Sequence, residues 1–115
     1  PRSTLFPYTT LFRSSQQLKL VSLNVPSRIE LIIDQDNYTI GRKPGEVNGL
    51  ITFNKAIGRV HCRILRSTHG FKIEDLGSAN GTFLNRKKLI PNKPVAINNG
   101  DIIRLANTDF KVSLQ

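Results

Sequence analysis

What most constrains this chain is the absence of any helical period. Between residues 18 and 114, apolar residues never recur at i, i+3, i+4, i+7 over a helix-length window free of breakers. They alternate instead. Leu18, Leu20 and Ser22 interleave with Lys19, Val21 and Leu23, and Ile29, Leu31 and Ile33 share one face of 28–34 at a period of two. Further short runs of strand character fall at 38–40, 50–53, 62–67, 71–74, 82–84, 89–90, 94–97, 101–106 and 109–114. Turn formers separate them: Pro26-Ser27, Asp36-Asn37, Pro44-Gly45, Thr68-His69-Gly70, Arg86-Lys87-Lys88, Asn98-Asn99-Gly100 and Asn107-Thr108. Many short strands at close spacing predict an all-β fold, an antiparallel sandwich or barrel.

Residues 1–14, PRSTLFPYTTLFRS, stand outside this pattern. They resemble the in-frame translation of a common sequencing adapter, and the chain contains no Met. A signal peptide is the competing reading, but there is no continuous apolar h-region and no small-residue cleavage site. This segment is expected to be non-native and disordered. Residues 15–115 are then expected to form one domain, a fragment of a longer protein. About 100 residues suffice for a single modest core. No apolar run is long enough to cross a bilayer, which predicts a soluble domain with no membrane partner. Cys62 is the lone cysteine, so no internal disulfide forms, consistent with a reducing, cytoplasmic setting. The formal charge is +9, and Arg2 and Arg13 in the first segment leave +7 for the rest. That excess favours an anionic partner, although a solvated basic surface is the plainer explanation of charge alone.

The stretch from Glu74 to Asn85 reads EDLGSANGTFLN. Asn80-Gly81 followed by an alternating run is a hairpin signal, so a turn that merely reverses the chain is the first expectation. The sharper one is that its crowded N–H groups, amide and hydroxyl hold an anion. Three segments upstream and downstream tip the balance. Ile40-Gly41-Arg42, Gly58-Arg59-Val60-His61, Asp75-Leu76-Gly77-Ser78-Ala79-Asn80-Gly81-Thr82 and Asn99-Gly100-Asp101-Ile102-Ile103 occur in that order. Together, on an all-β background from about residue 18 to 114, they resemble the forkhead-associated (FHA) domain.

The resemblance implies an FHA-like (SMAD/FHA) antiparallel β-sandwich of about eleven short strands. Its loops at one end would bind phosphothreonine peptides produced in Ser/Thr-kinase signalling, here in a bacterial cytoplasm. A phosphothreonine offers close to two negative charges and three strong acceptor oxygens. Arg42 would grip two of those oxygens with its planar fork. Gly58, Arg59 and Ser78 would add donors, Gly58 and Ser78 through their backbone N–H groups. Asn80 would hold the peptide backbone, with Ala79 beside it. His61 would brace one loop against another, and Gly41, Gly77 and Gly81 would permit tight loop geometry. Lys55, Ala56 and Ile57 match the loop that reads the third residue after the phosphothreonine.

Two positions depart from the family pattern: Gly58 stands where a phosphate-binding Ser is usual, and Ala79 where Thr is usual. Each lost hydrogen bond to a charged group is worth roughly 1.5–3 kcal/mol. Arg59, Lys55 and Lys43 would compensate through charge, and Gly58 keeps its N–H; the alternative reading is a degenerate FHA domain that binds its partner without phosphate. A generic basic nucleic-acid-binding β domain is a further alternative, disfavoured because no exposed aromatic stripe offers a stacking platform. Enzymatic, metal and cofactor functions are not expected. His61 and Cys62 are adjacent on a strand and point apart, and with His69 they make no known zinc spacing. Gly41-Arg42-Lys43-Pro44-Gly45 lacks the Gly-Lys-Ser/Thr and following helix of a nucleotide P-loop.

Overall fold

The alternating pattern becomes eleven strands in a computed structural model, which describes residues 17–114. The adapter-like segment 1–14 lies outside the described residues. In chain order the strands are β1 (Leu18–Ser22), β2 (Glu30–Ile33), β3 (Asn37–Gly41), β4 (Gly49–Leu50), β5 (Cys62–Ser67) and β6 (Gly70–Asp75). They continue with β7 (Thr82–Leu84), β8 (Lys87–Lys88), β9 (Val95–Ile97), β10 (Ile102–Leu105) and β11 (Thr108–Leu114). No helix occurs among the described residues.

Two sheets face each other, one ordered β2-β1-β11-β10-β7-β8 and the other β4-β3-β5-β6-β9. Period-two alternation sends one side of each strand between them. Leu18, Leu20, Ile33, Ile103, Leu105, Phe110 and Val112 from the first sheet meet Tyr38, Ile40, Cys62, Ile64, Phe71, Ile73 and Ile97 from the second. Full burial of each such side chain is worth roughly 1.5–3 kcal/mol. The first and last strands are neighbours, with Leu18 opposite Leu114 across the β1–β11 ladder.

Three details differ from the sequence expectation. The expected strand at 50–53 shrinks to β4, and β4 pairs with β3 in parallel, Ile40 opposite Gly49 and Gly41 opposite Leu50. The sandwich is thus antiparallel except at this one pair. Asn48 makes the parallel return possible: its Oδ1 accepts from the Thr39 N–H at 2.9 Å and Oγ1 at 3.1 Å, while its N–H donates to the Thr39 carbonyl at 3.0 Å. Next, the expected strand at 89–90 moves to Lys87–Lys88, and the turn contracts to Asn85-Arg86, with φ of 49° and 74°. Two successive positive φ values make the tight hairpin whose twist suits a right-handed ladder. Leu89 follows β8, its N–H still reaching the Thr82 carbonyl at 2.9 Å, and its side chain enters the core. Finally, Asn80-Gly81 does not close a hairpin, because β6 and β7 belong to different sheets.

Candidate functional site

Three connections meet at one end of the sandwich: 42–48 after β3, 51–61 between β4 and β5, and 76–81 between β6 and β7. The last crosses from one sheet to the other, so its polar residues are held over the seam between the sheets. Ile57, fully buried, plugs the middle loop into the core.

Arg42 is positioned by backbone and side chain together. Its N–H reaches the Gly58 and Arg59 carbonyls at 3.1 and 3.0 Å, and the Lys43 N–H joins the latter at 3.2 Å. Its Nε donates to the Ile57 carbonyl at 2.8 Å. The guanidinium is thereby pinned along one edge, and among the described residues it forms no ion pair. Gly41 makes this contact possible by close approach: a Cβ there would stand 2.1 Å from the Arg59 carbonyl oxygen.

His61 is fully buried and ties two loops together. Its Nδ1 accepts the Gly58 N–H at 2.9 Å, which places the ring proton on Nε2, donating to the Gly81 carbonyl at 2.9 Å. Burial pulls its pKa below the usual histidine value, against the raising effects of the Gly81 bond and Asp75. The Gly81 carbonyl also accepts the Ala106 N–H at 3.1 Å, joining the β10–β11 turn to the same point. Gly81 itself has φ of +86°.

Asp75 is the hub of the third loop. One oxygen accepts the Gly77 and Ser78 N–H groups at 3.0 and 3.1 Å, the other the hydroxyls of Ser78 at 2.5 Å and Thr82 at 2.6 Å. Burial alone would raise its pKa, but these bonds outweigh burial and hold the carboxyl below the usual range. The sequence motif contains Asp75 but does not announce this role. The signal was the Asp-x-x-Ser spacing, which lets a carboxylate accept from its own turn.

Two expected donors have partners within the protein. The Gly58 N–H is already bonded to His61, and the Ser78 N–H and hydroxyl are both committed to Asp75, so neither faces solvent as a free donor. Ile57 offers its carbonyl to Arg42 but cannot present its buried side chain to a ligand. Asn80, exposed, donates one amide hydrogen to the Ala56 carbonyl at 2.8 Å, which leaves its Oδ1 and second hydrogen outward. Ala79, Lys55 and Arg59 are exposed; Lys55 and Arg59 have no ion pair among the described residues, whereas Lys43 pairs with Glu46 at 2.9 Å. Gly77 sits at φ of +79° in open space. Asn54, unremarked in the sequence, anchors the middle loop by donating to Asn107 and to the Thr108 hydroxyl, the latter at 2.7 Å.

Among the described residues no group of three or more His, Cys, Asp or Glu is placed to hold a metal. The Cys62 thiol is buried and its pKa is pushed far upward, first by burial and then by Asp75. No helix of the described residues is long and apolar enough to cross a membrane.

Comparison with known proteins gives a consistent picture. A family model described as FHA domain matches residues 38–106. A probable E3 ubiquitin-protein ligase, dma1 of Schizosaccharomyces pombe, is 36% identical over 72 residues, covering 59% of this chain and 27% of that protein. The ovarian-specific serine/threonine-protein kinase Lok of Drosophila melanogaster is 32% identical over 117 residues, covering 84% of this chain and 24% of that protein. The chain therefore spans about a quarter of the length of these two relatives. Further matches include a plant and a bacterial protein, so they do not single out a bacterial source. Among solved structures, the N-terminal FHA domain of Saccharomyces cerevisiae Rad53p, in complex with a phosphothreonine peptide, superposes with a TM-score of 0.72. It is 18% identical and covers 86% of this chain and 94% of that one.

Proposed function

The chain belongs to the FHA domain family, and on that premise we propose that it is a recognition module for phosphothreonine-bearing peptides. The observation that carries the reading is Arg42, whose guanidinium is clamped on one edge by the Ile57 carbonyl and left without a counter-ion. A half-buried, immobilised and unpaired arginine at a loop cluster is a prepared site for a phosphate. Arg59 and Lys55 add positive charge, and Asn80 offers an acceptor and a donor to the peptide backbone. Gly41, Gly77, Gly81 and His61 serve as scaffold. The domain is non-catalytic, acts downstream of a Ser/Thr kinase, and takes no metal or cofactor. The reading includes a bacterial source and a cytoplasmic setting, the latter supported by the single, unpaired Cys62.

One observation favours a second reading, a domain whose partner is recognised without phosphate. Hydroxyls are missing at 58 and 79, and the Gly58 and Ser78 N–H groups are engaged internally, so the phosphate site is short of donors. Fluorescence anisotropy separates the two. The protein is titrated with degenerate phosphothreonine, phosphoserine and unphosphorylated peptide pools and with single-stranded DNA, at two salt concentrations. Binding confined to the phosphothreonine pool and lost in Arg42→Ala is the expected result. Equal binding to phosphorylated and plain pools would favour the second reading, and salt-sensitive binding to everything would indicate a sequence-blind basic surface.

A further inference from the structure

Next to the loop cluster, the outer face of the six-stranded sheet carries a groove of about 650 Å³ that runs along β7 and β10. Asn80 and Ala106 stand at its loop end, and Asn85 and Arg86 at the other. Its floor is half-buried Phe83 and Ile102, the outward residues of those two strands. Arg104 lies directly across the ladder from Phe83, and Lys88 lies opposite Phe83 on the other side. Arg104 is held in place by donating its Nε to the Ala106 carbonyl at 3.2 Å and by Asp109 at 3.7 Å. Arg86 and Lys88 form no ion pair among the described residues. The groove is thus an apolar strip lined by two cations and one carboxylate, with Lys88 beyond its edge across the ladder from Phe83.

It is also continuous with the proposed phosphate site. Asn80 belongs to both: its amide is tied to the Ala56 carbonyl in the specificity loop, and its outer side borders the groove. Gly81 packs under the same surface, since a Cβ there would stand 3.0 Å from Lys88 Cε and 3.3 Å from Phe83 Cε1.

We propose that this groove is a second subsite, which receives one flank of the phosphopeptide and selects an apolar side chain next to acidic residues. The inference rests on the phosphothreonine reading of the loop end. An extended chain advances about 3.3 Å per residue, so a three-residue strand such as β7 accommodates only a few ligand residues. Phe83 and Ile102 take the apolar side chain, while Arg86, Arg104 and Lys88 face its acidic neighbours. The net positive edge disfavours a basic flank.

The test compares a short phosphothreonine peptide with versions extended at the N-terminal or C-terminal side by an acidic-apolar-acidic segment. Isothermal titration of the full chain should show one extension tightening binding by about tenfold, a typical gain for an apolar anchor with charged surroundings. Arg104→Glu and Phe83→Ala should each remove that gain and leave the short peptide's affinity unchanged. A charge-reversed, lysine-flanked extension should recover part of it with Arg104→Glu. If neither extension alters the affinity, or if Arg104→Glu weakens the short and extended peptides equally, the subsite is wrong while the phosphothreonine reading stands. If no phosphopeptide binds and Arg42→Ala changes nothing, both fall together. Arg104→Glu is a surface change, so it keeps the test valid even where Phe83→Ala loosens the fold.

Discussion

The two ends of the sandwich are built on different principles. At the far end the side-chain hydrogen bonds that hold the turns lie in exposed positions, whether local or, like Asn85 Nδ2 to Asp101 Oδ1 at 3.2 Å, between turns. Ser67 Oγ accepts the His69 N–H at 3.2 Å and donates to the Gly70 carbonyl at 3.4 Å, and Asp101 accepts the Asn98 N–H at 2.7 Å. Those side chains are solvent-facing, and water can replace most of what they do. At the site end each loop is completed by another. His61 spans from Gly58 to Gly81, Asn80 reaches Ala56, Asn54 reaches Asn107 and Thr108, and the Gly81 carbonyl serves two partners. His61 does this in full burial, and the equally buried Asp75 braces its own loop; in both a lost partner leaves an unsatisfied group. Exposed turns tolerate change, while loops interlocked through buried polar groups hold a binding geometry and are costly to disturb.

The contrast should be broken most severely at Asp75. Asp75→Ala strands two backbone N–H groups and two hydroxyls, and chemical denaturation should show a loss of about 3–5 kcal/mol. His61→Ala orphans the Gly58 N–H, takes one of its two partners from the Gly81 carbonyl and empties a fully buried site, for a loss of about 2–3 kcal/mol by the same measurement. Acid should act through both residues. Since the pKa of His61 is lower in the folded state than in the unfolded one, its contribution is complete above about pH 6.5 and is lost as pH falls toward its folded value. Asp75, also lowered, adds a second loss below about pH 4. Thermal melts across this range should show two declines, the first absent from a His61→Gln variant.

Smaller changes sharpen the comparison from the other side. A Cβ at Gly58 would meet nothing nearer than His61 Nδ1 at 3.5 Å, and Gly58 is not at positive φ, so Gly58→Ser fits without strain. It should leave stability unchanged and tighten phosphothreonine binding by about tenfold, one hydrogen bond to a charged group. An unchanged dissociation constant would show that the phosphate does not come near residue 58. At the far end, Ser67→Ala should shift stability by no more than about 0.5 kcal/mol. A larger effect there would erase the distinction between the two ends.

Much of this was legible beforehand, for identifiable reasons. Strands such as β5, β6 and β11 follow from strict alternation, which reports a half-buried ladder directly. The loop cluster followed from the ordered motifs around Arg42, His61 and Asn80. The parallel β3–β4 pair was not legible, because it depends on Asn48 reaching Thr39 after a loop whose path the residues do not announce. The hairpin at Asn85-Arg86 was displaced because Arg is a poor advertisement for positive φ. The engaged donors teach the most. A sequence shows that Gly58 has an N–H and that Ser78 has two donors, but not that His61 and Asp75 have already claimed them.

The β1–β11 ladder has a topological consequence. With Leu18 opposite Leu114, the chain enters and leaves the sandwich side by side at the end away from Arg42. Such a domain can be spliced into a host polypeptide like a bead on a closed loop, with the host's own strands barely parted. The same adjacency makes it a candidate for circular permutation. A short Gly/Ser bridge joining residues 114 and 17, with new termini opened in the exposed turn at His69, should preserve both sheets and leave the Arg42 end untouched.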